Sequence, residues 1–151
     1  MEFTGQVVFL TAFLVMIISQ AAKMILTTIK NRKFELRHLF ELSGMPSSHT
    51  ATVTALAIGV YFAEGFSVLF AAMLVLFGFV VSEVVYDKMS ISMHAKILNE
   101  VRFYLKEKGY KAKKHPIIME KQMREEWGHT PLEILSGFVL GLVITLIISA
   151  I

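Results

Sequence analysis

The feature that most constrains this chain is a succession of apolar runs separated by basic segments. The runs are Val7 to Ile29, interrupted late by Gln20 and Lys23; Thr50 to Ala63; Phe66 to Tyr86, with Glu83 near its end; and Pro131 to Ile151. A helix needs roughly 20 apolar residues to cross a bilayer core. The first, third and fourth runs meet that length. The second is marginal and reaches it only when the turn from Pro46 to His49 is counted in. With hydrophobic residues at 55% and a mean hydropathy of +0.62, the chain is too apolar for an ordinary soluble domain of 151 residues. The reading is an all-α integral membrane bundle, a single domain over 1–151, with about four spans at 7–29, 47–63, 66–86 and 131–151.

The loops set an orientation. Residues 30–45 carry Lys30, Arg32, Lys33 and Arg37, and residues 87–130 carry ten of the fifteen basic residues. The turn near Glu64 and Gly65 carries none, and neither does either end of the chain. The positive-inside rule puts both basic loops in the cytoplasm and both termini outside. The first run does not read as a signal peptide, because no Lys or Arg precedes it and no small-residue cleavage pattern follows. In the loop 87–130, Ile91, Ala95, Leu98, Val101 and Leu105 recur at spacings of three and four. That predicts a cytoplasmic amphipathic helix with a basic solvent face, ending at Gly109 and either lying on the membrane surface or capping the bundle.

Composition narrows the function classes. With no cysteine, disulfides, zinc–thiolate sites and thiol catalysis are excluded. The net charge of +3 suits basic cytoplasmic loops. The aromatic residues lie mostly in the apolar runs rather than among the lysines, which argues against nucleic acid as a partner.

On this topology, widely separated polar residues meet at one membrane face. Lys23 lies toward the cytoplasmic end of the first span. Pro46, Ser47, Ser48 and His49 open the second, Glu83 and Asp87 close the third, and His129 to Glu133 open the fourth. Ionisable groups in a membrane are costly and tend to be functional. Two helix N-termini at one face offer unpaired amides and positive dipole ends, which suit an anion. Backbone amides and a cation can neutralise phosphoryl oxygens while one imidazole attacks and another protonates the leaving oxygen.

Each residue also has a plainer role. Ser47 and Ser48 suit a helix cap. Lys23 can snorkel to headgroups. Glu83 and Asp87, four apart on a helix, can pair with Lys23 or Lys88 or hold a divalent cation, and pairing is the reading taken here. Asn99 is expected to make a local hydrogen bond. Gly59, Gly78, Gly137 and Gly141 suit close helix packing, and Gly137-x-x-x-Gly141 fits a contact within the chain or across a homodimer.

The motifs PSSH at 46–49 and HTPLEILSG at 129–137 resemble the type-2 phosphatidic-acid phosphatase superfamily, whose core is shared with vanadium haloperoxidases. The resemblance is closer to a divergent membrane branch. That branch looks like GMPSSH, a helix with YD that ends in LN, and E-x-x-GHTP. Here these are Gly44 to His49, Tyr86-Asp87, Leu98-Asn99 and Glu125 to Pro131. Each motif alone is weak; the ordered set is fairly specific.

The resemblance implies an integral-membrane phosphatase that hydrolyses a lipid or isoprenoid phosphate and needs no metal or other cofactor. His129 would be the nucleophile, Glu133 would hold its other ring nitrogen, and His49 would protonate the leaving group. Lys23, Ser47, Ser48 and Arg124 would bind the phosphate, with Glu83, Asp87 and Glu125 in support. The chain departs from the superfamily pattern in the first motif, where Lys30-Asn31 stands for Arg-Pro, and around the third-motif His, and from the divergent branch after Tyr86-Asp87. Position 123, six before the His, is Met rather than Arg, with Arg124 one residue closer. Glu133 replaces Asp, and the SISMH stretch after Tyr86-Asp87 lacks an arginine pair. This thin arginine supply motivates an alternative: an inactive member of the fold that binds an anionic headgroup or a protein partner. A transporter is a third class, for which four spans per chain are few.

Overall fold

The computed structural model describes residues 3–32, 44–110, 122–123 and 131–151. These residues form four helices: α1 (Gly5–Asn31), α2 (Ser48–Glu64), α3 (Val68–Glu107) and α4 (Pro131–Ser149). No strand occurs among the described residues. The all-α reading is borne out. The chain divides into two compact units, one of residues 1–84 and 129–151, the other of residues 85–128.

In the first unit, α2 packs along both α1 and α4, which touch each other less. The residues that meet are small or hydroxylated. Val8, Thr11, Ala12, Val15, Ser19 and Lys23 are the buried residues of α1, spaced so that they form one stripe. Ala51, Thr54 and Ala55 are buried on α2, and Gly137, Gly141 and Thr145 on α4. Large apolar side chains such as Phe9, Phe13, Ile17 and Leu146 point outward instead. This inversion belongs in lipid, which is as apolar as leucine, so that helices associate by close packing rather than by hiding apolar surface.

Glycine makes the α2–α4 contact possible. A Cβ at Gly137 would overlap the carbonyl oxygen of Ser47, and one at Gly141 would overlap that of Ala51. The Gly137-x-x-x-Gly141 face is therefore used within the chain. At Gly59 a Cβ would stand 3.1 Å from Val8 Cγ1, tight enough to strain the α1–α2 contact. The expected packing role fails at Gly78, where a Cβ would meet nothing within 4 Å.

Three buried hydroxyls at the helix contacts are satisfied by their own helices. Thr54 Oγ1 donates to Thr50 O at 2.7 Å, Thr145 Oγ1 to Gly141 O at 2.8 Å and Ser19 Oγ to Met16 O at 2.8 Å. Such back-bonding lets polar residues line a helix interface without stranding a donor in a dry interior.

Three helices, α1, α3 and α4, are long and apolar enough to cross a membrane. The 17 residues of α2 extend about 25 Å, short of a bilayer core. Enclosure between α1 and α4 suits this short helix. At its far end a tight turn carries the chain from α2 into α3. Gly65 takes φ +66° and its N–H donates to Tyr61 O at 2.8 Å, while Ser67 Oγ caps α3 by accepting from Phe70 N at 3.1 Å. Around this turn Tyr61 packs on Phe62, Phe66 and Phe70, with ring centroids 5.2–5.9 Å apart. Aromatic groups of this kind gather where hydrocarbon meets headgroups.

The predicted third span and the predicted amphipathic helix are one element. α3 runs unbroken for 40 residues, because no proline and only Gly78 interrupts the sequence from Val68 to Glu107. It ends as predicted at Gly109, φ +72°, in a Schellman turn: Tyr110 N donates to Leu105 O and Gly109 N to Lys106 O, both at 3.0 Å. Its apolar stretch is mostly exposed, with Val84 buried, and Phe77 meets Phe138 of α4 edge-on at 6.1 Å.

In the second unit the apolar stripe of α3 is unevenly covered. Ile91, Leu98 and Val101 are 48–49% exposed, whereas Ala95 and Asn99 are buried. Asn99 hydrogen-bonds the backbone of Met123, 24 residues on. Periodicity marks where apolar residues lie, but a polar side chain with a distant backbone partner determines which face is covered.

Candidate functional site

Three helix ends of the first unit carry the polar residues. On α1, Ser19 and Lys23 stand one turn apart on the buried stripe, and both are almost wholly enclosed. An ammonium at membrane depth costs about 2.5–3.5 kcal/mol on insertion scales unless it is sheltered by polar surroundings. Gly44 abuts the Lys23 stem: a Cβ there would lie 3.3 Å from Lys23 Cγ, and its φ of +124° favours glycine. The first residue of the GMPSSH motif therefore packs on the lysine that precedes it by 21 positions.

Two residues beyond a buried Pro46, the chain enters α2. Ser47 is the N-cap, its Oγ accepting from Thr50 N at 3.4 Å and from Thr50 Oγ1 at 3.0 Å. Ser47 and Thr50 have no exposed surface, and Ser48 is nearly as buried. Here the plain capping role of Ser47 is realised. His49, at the second helical position, is exposed at the surface of the described chain.

α4 starts at Pro131, whose missing N–H costs nothing at a first helical position. Glu133 sits in this first turn, half-buried, where a carboxylate favours the dipole. Its carbonyl accepts the Ser47 amide at 3.0 Å. The two motifs PSSH and HTPLE thus adjoin through Ser47 and Glu133, with Gly137 seated on Ser47 one turn further along.

The remaining expected residues fall elsewhere. Glu83 is exposed on α3. Asp87 lies within α3, and its side chain is outside the described residues, as are all of Arg124, Glu125 and His129. Among the described residues, no group of three or more His, Cys, Asp and Glu could hold a metal ion. Sequence reasoning missed Ser19 and Thr50. The signal for Ser19 was its spacing of four from Lys23, and for Thr50 its place three after Ser47, within reach of a capping serine.

A small helical chain with helices long and apolar enough to cross a membrane, which buries Ser19, Lys23, Ser47, Ser48 and Thr50 among α1, α2 and α4, is a multi-pass membrane protein. The model of the divergent PAP2 family matches residues 4–144, and the chain belongs to that family. It is also similar to YuiD, an uncharacterised membrane protein of Bacillus subtilis (strain 168). The two are 27% identical over 157 residues, covering 99% of this chain and 98% of that one. No solved structure matches.

Proposed function

We propose that this protein is an integral-membrane phosphatase acting on a lipid or isoprenoid phosphate at the cytoplasmic leaflet. The observation that carries the reading is the Ser47–Glu133 hydrogen bond, which joins the two histidine-bearing motifs at their helix starts. Family membership and the buried Lys23 beside Gly44 support it.

In this reading an imidazole nitrogen of His129 attacks phosphorus as the bond to the leaving oxygen breaks. His49 delivers the proton that the departing alkoxide or phosphate needs. Water then attacks the phospho-histidine, His49 takes its proton, and inorganic phosphate leaves with His129 restored. The Glu133 carboxylate fixes the His129 tautomer through the other ring nitrogen. Lys23, Arg124 and the amides at Ser47 and Ser48 offset the charge on the phosphoryl oxygens. Glu83, Asp87 and Glu125 support that array from its rim. The basic segments 30–45 and 87–130 set the cytoplasmic orientation.

A second reading, that of an inactive family member binding an anionic headgroup or a protein, draws on two observations. Ser47 Oγ is committed to capping α2, and Met123 stands where the superfamily has arginine. Phosphate release by purified protein, lost in His129→Ala and in His49→Ala, separates the two. Headgroup binding that survives both substitutions, with no phosphate released by the wild type, would favour the second.

A further inference from the structure

Two serines open α2, and the fold treats them differently. Ser47 Oγ accepts from Thr50 N at 3.4 Å and from Thr50 Oγ1 at 3.0 Å, so both of its lone pairs are occupied. Its carbonyl accepts from Ala51 N at 2.9 Å, and Gly137 lies against that carbonyl. The residue has no exposed surface, so a ligand could touch its hydroxyl only if α2 and α4 moved apart. Thr50 holds that hydroxyl in place. Thr52 and Thr54 give their protons to carbonyls four residues back, at 2.7 Å each, whereas Thr50 gives its proton to the Ser47 side chain. Ser48 is the opposite case. It stands at the first helical position, with no helical turn before it to offer a carbonyl. Its own carbonyl takes the Thr52 hydroxyl at 2.7 Å, but its hydroxyl has no hydrogen bond among the described residues. The residue is 4% exposed. A hydroxyl buried so deeply without an acceptor costs stability. Places where a chain breaks a folding rule in this way are where function is expected.

We propose that Ser48, and not Ser47, presents the serine hydroxyl that a bound phosphoryl group meets, while Ser47 stays in the cap. This rests on the phosphatase reading above. A phosphoryl oxygen offers lone pairs, so it can take the proton that the fold leaves on Ser48. The start of α2 adds its positive dipole end at the same point. Gly44, which rests on the Lys23 stem, precedes Ser48 by four residues, and four residues of chain span at most about 14 Å. Ser48 therefore lies at the lysine end of the bundle. A hydrogen bond to a charged oxygen is stronger than a neutral one, enough to change affinity about tenfold. The commitment of Ser47 to the cap then takes nothing from the anion site.

The test uses the full-length protein in lipid nanodiscs and compares wild type with Ser47→Ala and Ser48→Ala, reading orthovanadate binding beside thermal melting. Ser48→Ala should bind vanadate about tenfold more weakly. Its melting temperature should equal or exceed that of the wild type, because a buried donor without an acceptor is removed. Ser47→Ala should melt lower, and where it is folded it should bind vanadate more tightly than Ser48→Ala does. A clearly lower melting temperature in Ser48→Ala makes its hydroxyl structural and overturns the assignment. So does vanadate binding that Ser48→Ala leaves unaltered, or an equal loss in folded Ser47→Ala; these results leave the phosphatase reading standing. Inorganic phosphate and phosphatidic acid, added as competitors, tell a free anion from a lipid headgroup. Whichever displaces vanadate should do so with an inhibition constant about tenfold higher in Ser48→Ala, and an unchanged constant overturns the assignment. A wild-type protein that binds no vanadate sinks the phosphate reading and the role of Ser48 with it.

Discussion

The amide of Ser47 donates to the carbonyl of Glu133 at 3.0 Å, bonding the start of α2 to the first turn of α4. The Ser47 amide, at the N-cap, has no acceptor within α2 by position, whereas the Glu133 carbonyl also accepts from Ser136 Oγ of its own helix at 2.9 Å. The bond therefore reports how the two helices are set against each other. Its geometry depends on Gly137, which lets the α4 backbone lie directly on Ser47.

Gly137→Ala should consequently destabilise the protein by about 1–3 kcal/mol, as overpacking of a tight interface does. Gly141→Ala should act likewise through Ala51 O, whereas Gly78→Ala should be silent or slightly stabilising, because a methyl there meets nothing within 4 Å. Thermal melting in one detergent, with Gly78→Ala as the control, checks the contrast. Equal stability of all three variants would mean that α2 and α4 do not approach as described.

Replacing Ser47 by alanine removes the cap of α2 and leaves the buried Thr50 hydroxyl without its acceptor. The expected loss is about 1–2 kcal/mol. The Ser47→Ala/Thr50→Val variant, which removes both hydroxyls, should recover part of it, since no donor is then stranded. Chemical or thermal denaturation of the two variants makes the comparison.

Lys23→Met keeps most of the aliphatic stem that lies against Gly44 and deletes the charge. It should bind orthovanadate at least tenfold more weakly. Gly44→Ala should instead lower stability, because its φ of +124° disfavours a side chain. Binding isotherms beside melting curves separate the two effects.

Much of this was legible in the sequence, for reasons that also explain what was not. Helices announce themselves by long apolar runs, and the ends of α2 and the start of α4 follow from Ser47, Gly65 and Pro131. The meeting of PSSH with HTPLE could be anticipated because both open helices on the same side of the membrane. What a single sequence did not reveal was pairing that depends on a third partner. The bond from Asn99 to Met123, 24 residues on, could not be read from spacing. The break expected near Asp87 was inferred from a change in composition, but helices end at residues that break them, and none lies there.

The central claim is that the site at Lys23, Ser47 and Glu133 serves phosphoryl transfer through His129. The most direct measurement is inorganic phosphate released by the purified, lipid-reconstituted protein from a panel of lipid and isoprenoid phosphates, with orthovanadate as inhibitor. The account predicts turnover on at least one of them, inhibited by vanadate and reduced at least a hundredfold in His129→Ala and in His49→Ala. A wild-type protein that binds no vanadate and releases no phosphate from any member of the panel would contradict it.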